Sequence, residues 1–390
     1  MVKNNIIWVI GLALALTSGL TAVGAIAKRK APELAITLHP VNGFAAGNIA
    51  SNSLKTAVAE NSGTFPDHVD PKTSGLAQQA FIAEPIVPEA IAILALDKAD
   101  DDKGRLMSEA LSLSRRNPLV NTWMIADSGA REDMPALLGH YDTMLRTSSS
   151  AAVVVIPILV KALANDDFVP LFAKQLANQP PWANQFWRAV VGSPESVGNA
   201  ARLREMVYKP HENDSIYSDA HLVRALVNDQ QFEAAEALYS RLANQNRGPA
   251  LLKNGSFQSE PEYAPIDWQL FSTGEYGAAI SGGKLQLSAI RNSGGLFARQ
   301  LVKLPAKIVA MDIKPDIPVP DNAKIIVSLK CAQPIKDPPL TIRIPLQKHI
   351  ANLQIDNKNS GCSFYWLDIN GRASGSGDGF DVAVNAISIR

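Results

Sequence analysis

KLQLSAIRNSGGLFARQLVKLPAKIVAMDIK, residues 284–314, decides how the C-terminal part of the chain folds. Apolar and polar residues alternate in three short runs, separated by RNSGG and by a proline. Alternation with a period of two places one set of side chains on a core and the other in solvent. The same reading holds for AKIIVSLKCA (323–332), LTIRIPL (340–346), CSFYWLDI (362–369) and FDVAVNAISI (380–389). Gly, Pro, Asn and Asp clusters such as PDIPVPDN and GRASGSGDG bound these runs. About seven short strands after residue 249 predict an antiparallel β-sandwich of jelly-roll type.

N-terminal to this region the period changes. From Pro85 to Asn246 apolar residues recur at spacings of three and four, which predicts helices. Segments starting at Leu106, Met134, Phe168, Gly198 and Phe232 overlay on one another, at offsets of 28, 34, 30 and 34 residues. The last of them, DAHLVRALVNDQQFEAAEALYSRL (219–242), resembles a tetratricopeptide repeat. Ala225 fits the small position of the first helix, and Asp229-Gln230-Gln231 fits the turn. Phe232, Ala235 and Leu238 fit the packing positions of the second helix. Pro118, Pro180 and Pro210 fall where such repeats place proline after a helix pair. The first-helix Trp-Leu-Gly signature of that family is absent, and Pro157 interrupts AAVVVIPILVKAL. The resemblance implies a solenoid whose concave surface binds a protein partner; a rigid spacer is the alternative.

Residues 31–83 are rich in Ala, Asn, Ser, Gly and Pro and show no sustained apolar period, so a flexible linker is expected there. Before it, Ile6 to Ala27 carry no charge, a length that spans a bilayer core of about 30 Å as a helix. Two readings remain open for residues 1–30: an uncleaved membrane anchor, and a signal segment cut after Ala25-Ile26-Ala27. The expected division is therefore 1–30, anchor or signal; 31–83, linker; 84–248, helical array; and 249–390, β-sandwich. The fold class is multidomain α + β, with an N-terminal transmembrane helix, a tetratricopeptide-like α-solenoid and a C-terminal jelly roll.

LLKNGSFQSEPEYAPIDWQLFSTGEYGAAISGGKLQLS (251–288) resembles the opening of a carbohydrate-binding-module jelly roll. An Asn-Gly-Ser-Phe strand leads to a tryptophan, a Gly-containing turn and an alternating strand. The resemblance implies a sugar-binding surface, where aromatic faces stack on pyranose C–H groups beside hydrogen-bonding side chains. Tyr276, Trp366, Tyr365, Trp268 and Tyr263 are the aromatic candidates, with Asn292, Asp267 and Asp368 as polar neighbours. Alternation puts Trp366 and Tyr365 on opposite faces, so one of them points into the core, and Trp268 also reads as a packing residue. Asp378 and Asp381 offer a two-carboxylate calcium alternative. Cys331 and Cys362, both in the β region, are the only cysteines; a disulfide between neighbouring strands is expected, with a free buried pair as the alternative.

The chain holds 37 Lys+Arg and 37 Asp+Glu, which argues against a wholly basic nucleic-acid binder. The balance hides an uneven distribution. Residues 1–30 have four basic and no acidic residues, 31–249 have 18 basic and 25 acidic, and 250–390 have 15 basic and 12 acidic. The β region thus has a mild bias towards acidic glycans. The six histidines show no metal-ligand spacing, and neither a phosphate loop nor a nucleophile elbow is present. No cofactor is implied. These readings predict a non-catalytic envelope scaffold, anchored in the inner membrane through residues 6–27 and facing the periplasm. Its helices would hold a protein partner and its sandwich a bacterial polysaccharide or a protein, in making or exporting a surface polysaccharide. A glycan-active enzyme with a targeting module, and an assembly factor that binds no sugar, are the rivals.

Overall fold

A computed structural model describes residues 2–61, 64–209, 216–243, 250–334, 341–358, 360–374 and 378–390, without the side chains of 2–13, 216 and 217. Helices precede strands throughout, so the chain is multidomain α + β. It divides into two compact units: residues 1–155 with 179–182, and residues 156–178 with 183–390.

The first unit holds α1 (Val2–Ala27), α2 (Pro32–Leu38), α3 (Gly43–Glu60), α4 (Pro71–Ala83), α5 (Pro88–Leu96), α6 (Asp100–Leu113), α7 (Pro118–Ala130) and α8 (Met134–Thr147). Proline opens α2, α4, α5 and α7, where its missing N–H costs nothing. Side-chain oxygens of Asn42, Asp70, Asn117 and Asp133 accept from the first free N–H groups of α3, α4, α7 and α8. The flexible linker expected at residues 31–83 is corrected here, because α2, α3 and α4 occupy it. Its low content of large apolar residues hid a core of alanines. Ala46, Ala50, Ala77 and Ala80 are all buried, and the helices approach closely over them. A Cβ on Gly47 would lie 2.6 Å from Val87 Cγ1, and one on Gly43 would lie 2.8 Å from the Ala80 carbonyl oxygen. Small side chains here are a packing requirement and not a mark of disorder.

Among the described residues no helix is long and apolar enough to cross a membrane. The first half of the span expected at residues 6–27 has side chains outside the described residues. Its second half is helical and exposed at Leu14, Leu16, Leu20, Val23 and Ile26.

α9 (Ala152–Ala162) starts in the first unit and carries Pro157 within it. The second unit continues with α10 (Phe168–Leu176), α11 (Ala183–Val190), α12 (Pro194–Val207), α13 (Ile216–Asn228) and α14 (Phe232–Leu242). The α13–α14 turn falls at Asp229-Gln230-Gln231 as expected, with Gln230 in the left-handed region at φ 60°. Met134, Phe168 and Phe232 open α8, α10 and α14, but Leu106 and Gly198 lie inside α6 and α12. Helix pairs are therefore present without a uniform repeat register. Pro210 and the Gly248-Pro249 boundary lie outside the described residues.

Ten strands follow: β1 (Gln269–Leu270), β2 (Tyr276–Ser281), β3 (Lys284–Ile290), β4 (Gly294–Lys303), β5 (Ile308–Pro315), β6 (Ala323–Cys331), β7 (Thr341–Pro345), β8 (Ile350–Asp356), β9 (Phe364–Ala373) and β10 (Gly379–Ile389). They form two antiparallel five-stranded sheets, ordered β1-β4-β9-β6-β7 and β2-β3-β10-β5-β8. The predicted alternation is realised in β3, where Leu285, Leu287 and Ala289 are buried and Gln286, Ser288 and Ile290 are exposed. Trp268, Phe297, Tyr365, Leu367, Met311, Val382 and their neighbours fill the space between the sheets.

The sandwich is not separate from the helices that precede it, contrary to the boundary expected at residue 249. Phe364 stands on the outer face of the first sheet, buried, with its ring centroid 5.3 Å from that of Phe232 on α14. Tyr263 meets Tyr239 of α14 edge to face at 5.9 Å, and Lys253 Nζ lies 3.3 Å from Glu236. Behind α14, Arg204 Nε and Nη2 donate to Asp219 at 2.7 and 3.0 Å, with both side chains only 6% and 5% exposed. The Trp187 and Tyr208 rings flank the guanidinium. Burial, and then the nearby Asp219 charge, push the Tyr263 phenol up to about 12. Removing one partner of such a buried pair leaves an uncompensated charge. Asp219→Ala should destabilise the second unit by about 3–5 kcal/mol in urea denaturation, whereas Arg204→Met combined with Asp219→Leu should cost much less. Equal losses in the two variants would contradict this account of the pair.

Candidate functional site

The outer face of the second sheet carries a concavity. Register aligns Gly277 with Ser288 and Ser288 with Asp381, and aligns Ala279 with Gln286 and Gln286 with Ala383. Each of these residues alternates with a core residue, so the six share the outward face. Small side chains at 277, 279 and 288 leave a trough of about 590 Å³ across β2, β3 and the start of β10. Gln286 and Asp381 rise from its floor, and Ser272–Glu275 with Asp378 form its rim.

The rim is held by its own hydrogen bonds. Thr273 Oγ1 accepts from the Glu275 and Tyr276 amides at 3.2 and 3.1 Å, and Ser293 Oγ donates to Glu275 Oε2 at 3.0 Å. A Cβ on Gly277 would lie 2.7 Å from Ser272 Oγ, so a larger residue there would displace that hydroxyl. Gly379 is required, at φ 127° with the Ala289 carbonyl where a Cβ would sit. Three carboxylates line the trough (Glu275, Asp378 and Asp381), and none of its lining residues is Lys or Arg. The mild basic bias of the β region as a whole therefore does not describe this surface.

The aromatic candidates do not converge. Trp268 and Tyr365 are fully buried between the sheets, which removes both as ligand platforms. The Trp268 indole N–H donates to the Asn254 carbonyl at 3.2 Å. The Tyr365 hydroxyl donates to Asn357, and burial raises its pKa. Tyr263 and Asp267 are buried as well. Trp366 is half-buried on the outer face of the first sheet, with the Arg299 guanidinium 4.7 Å above its ring. That guanidinium is fixed by a bidentate pair with Asp368 at 2.7 and 3.0 Å, so the aromatic face is already covered. Tyr276 lines the trough of the other sheet, but its ring packs on Phe297 at 5.2 Å and its hydroxyl sits over Gly295. Asn292 holds the β3–β4 turn at φ 61° and does not line the trough. No planar aromatic strip results from these positions.

Asp378 and Asp381 both line the trough, but among the described residues no group of three potential ligand side chains surrounds a metal position. The residues that sequence reasoning missed are Gln286, Ser288 and Glu275. The signal was present: Gln286 and Ser288 are the outward set of KLQLSAI, and Gly277 and Ala279 are the small outward set beside them. A second cleft of about 340 Å³ is lined by His221, Arg224, Asp229 and the turn before α12.

Cys331, at the end of β6, is bonded to Cys362, just before β9, with the Cα atoms 6.1 Å apart. Alkylation of the unfolded chain without reductant should label no cysteine, and both should react after reduction. Labelling before reduction would contradict the bridge.

No family model matches the chain, and no curated protein matches it. Among solved structures, TmCBM61 in complex with beta-1,4-galactotriose is similar at 14% identity and TM-score 0.25, covering 37% of this chain and 99% of that one. Accessory secretory protein 1, 2 and 3 of Streptococcus pneumoniae is similar at 14% identity and TM-score 0.23, covering 32% and 97%. Likenesses this distant assign no family.

Proposed function

We propose that the chain is a non-catalytic envelope scaffold that holds a neutral or amine-bearing glycan on the outer face of its second sheet. The trough carries this reading. Three adjacent strands span about 10 Å at the usual spacing, a width that suits one sugar ring lying across them. Gln286 offers both a donor and an acceptor, Ser288 a hydroxyl, and Asp381 and Glu275 accept from sugar hydroxyls. Small floor residues let a ring approach the sheet without a stacking platform. An acidic polymer would meet three carboxylates and be repelled.

The helices supply a second surface, and the His221–Arg224 cleft is where a protein partner would dock. A solenoid-like use of the helix pairs and a role in surface polysaccharide assembly or export belong to the same proposal. The uncharged run at residues 6–27 supports an inner-membrane anchor. The disulfide supports an oxidising compartment and hence a body that faces the periplasm. It outweighs the Lys28-Arg29-Lys30 triplet, which charge counting alone would place in the cytoplasm.

The test is binding of the full chain to an array of neutral, amine-bearing and acidic bacterial polysaccharides. Binding should favour the neutral and amine-bearing members. Asp381→Ala should weaken it about tenfold, the loss of one charge-assisted hydrogen bond, and Ala279→Trp, which fills the trough, should abolish it. Absence of binding throughout, or binding indifferent to both substitutions, would leave only a protein-scaffold role.

A further inference from the structure

α1 does not hang from the helical body by a tether. Gly24 is buried against α2 and the start of α3, where a Cβ would touch Asn42 and His39 at 3.4 Å. Asn42 Nδ2 donates to the Gly24 carbonyl at 3.2 Å, and Asn48 Nδ2 donates to the Lys28 carbonyl at 2.9 Å. The Lys28 ammonium sits 4.2 Å over the Phe44 ring. α1 is thus clamped alongside α3 from residue 24 onward. Upstream of that point the helix leaves the body, and the side chains from Leu14 to Val23 are exposed.

The surface around this exit carries exposed apolar side chains. Gln79 Nε2 donates to the Pro40 carbonyl, and Gly43 abuts Ala80 and Glu84, so the start of α3 and the end of α4 lie at the same pole as Gly24. At that pole Val41 is 67% exposed, Ile82 73% and Ile86 63%, with Phe81 exposed beside them. Several large exposed apolar side chains gathered at one pole are what an interaction surface presents. Arg29 and Lys30, also exposed, follow directly on the clamped turn.

We propose that this pole is seated in the interfacial layer of an anionic bilayer. Val41, Ile82 and Ile86 dip towards the acyl boundary, and Arg29 and Lys30 face the lipid phosphates. The inference rests on reading α1 as a membrane anchor, and it follows from the clamp. If the helix upstream of Gly24 lies in lipid, the body cannot stand away from the surface, and whatever surrounds Gly24 meets the headgroups. Amphipathic surfaces that combine apolar side chains with basic residues bind such interfaces.

The experiment places nitroxide labels on the full chain through Ser18→Cys, Ile82→Cys, Ile86→Cys and Ser112→Cys, one at a time. The native cysteines are already bridged and do not take the label. The protein is reconstituted in vesicles of phosphatidylethanolamine and phosphatidylglycerol. Collision rates with oxygen and with a water-soluble nickel complex are then compared. Oxygen should dominate severalfold at Ser18, Ile82 and Ile86, and nickel should dominate at Ser112, an exposed position on α6. A lipid signal at Ser18 with a nickel-dominated signal at both Ile82 and Ile86 would overturn the seat while keeping the anchor. Exclusion of both reagents at Ile82 and Ile86 would show a second copy covering the pole and would also overturn it. A nickel-dominated signal at Ser18 would sink the anchor, and the seat with it.

Discussion

The contact of Phe364 with Phe232, reinforced by Tyr263 against Tyr239, is the constraint on which the second unit depends. It commits one end of the outer face of the first sheet to the preceding helices. Next to it, Arg299 covers Trp366 and is pinned by Asp368. The first sheet therefore has little free aromatic surface to offer a ligand. The second sheet keeps an open outer face, and its small residues at 277, 279 and 288 give that face its depth. One seam thus decides which side of the sandwich is structural and which is available for binding.

The seam also explains a buried ion pair that would be costly by itself. Taking Arg204 and Asp219 out of water exceeds what their attraction returns unless further groups share the charge. The Trp187 and Tyr208 rings do so for the guanidinium, and Tyr263 of the sandwich lies close enough for the Asp219 charge to disfavour its ionisation. The pair is a helix-side feature whose surroundings are completed by a residue from the β region.

The strands were legible because a half-buried strand writes a period of two into its sequence. β3, β6, β9 and β10 follow that pattern, and the disulfide between Cys331 and Cys362 agrees with it. β8 was not legible: ANLQID buries only Ile355. β2 escaped for a related reason, since YGAAIS is mostly small residues, the same property that makes it the floor of the trough. Residues 31–83 were misread because alanine and glycine packing leaves no period of large apolar side chains, although Ala46, Ala50, Ala77 and Ala80 are as buried as any leucine in the molecule. The site was half legible. Tyr276 and Asp381 were named and do line the trough, whereas Trp268 and Tyr365 drew attention as aromatics and turned out to be core. Composition identifies a stacking residue; only the sheet register shows which way it faces.

On this account α13, α14 and the sandwich form one cooperative body. Native-state hydrogen exchange on the full chain tests it most directly. Amides of α14 and β9 should open with the same free energy and the same denaturant dependence, as parts of one unit do. If α14 opened at markedly lower free energy while β9 stayed protected, the seam would be an accessory contact, and the division of the two sheet faces would lose its cause.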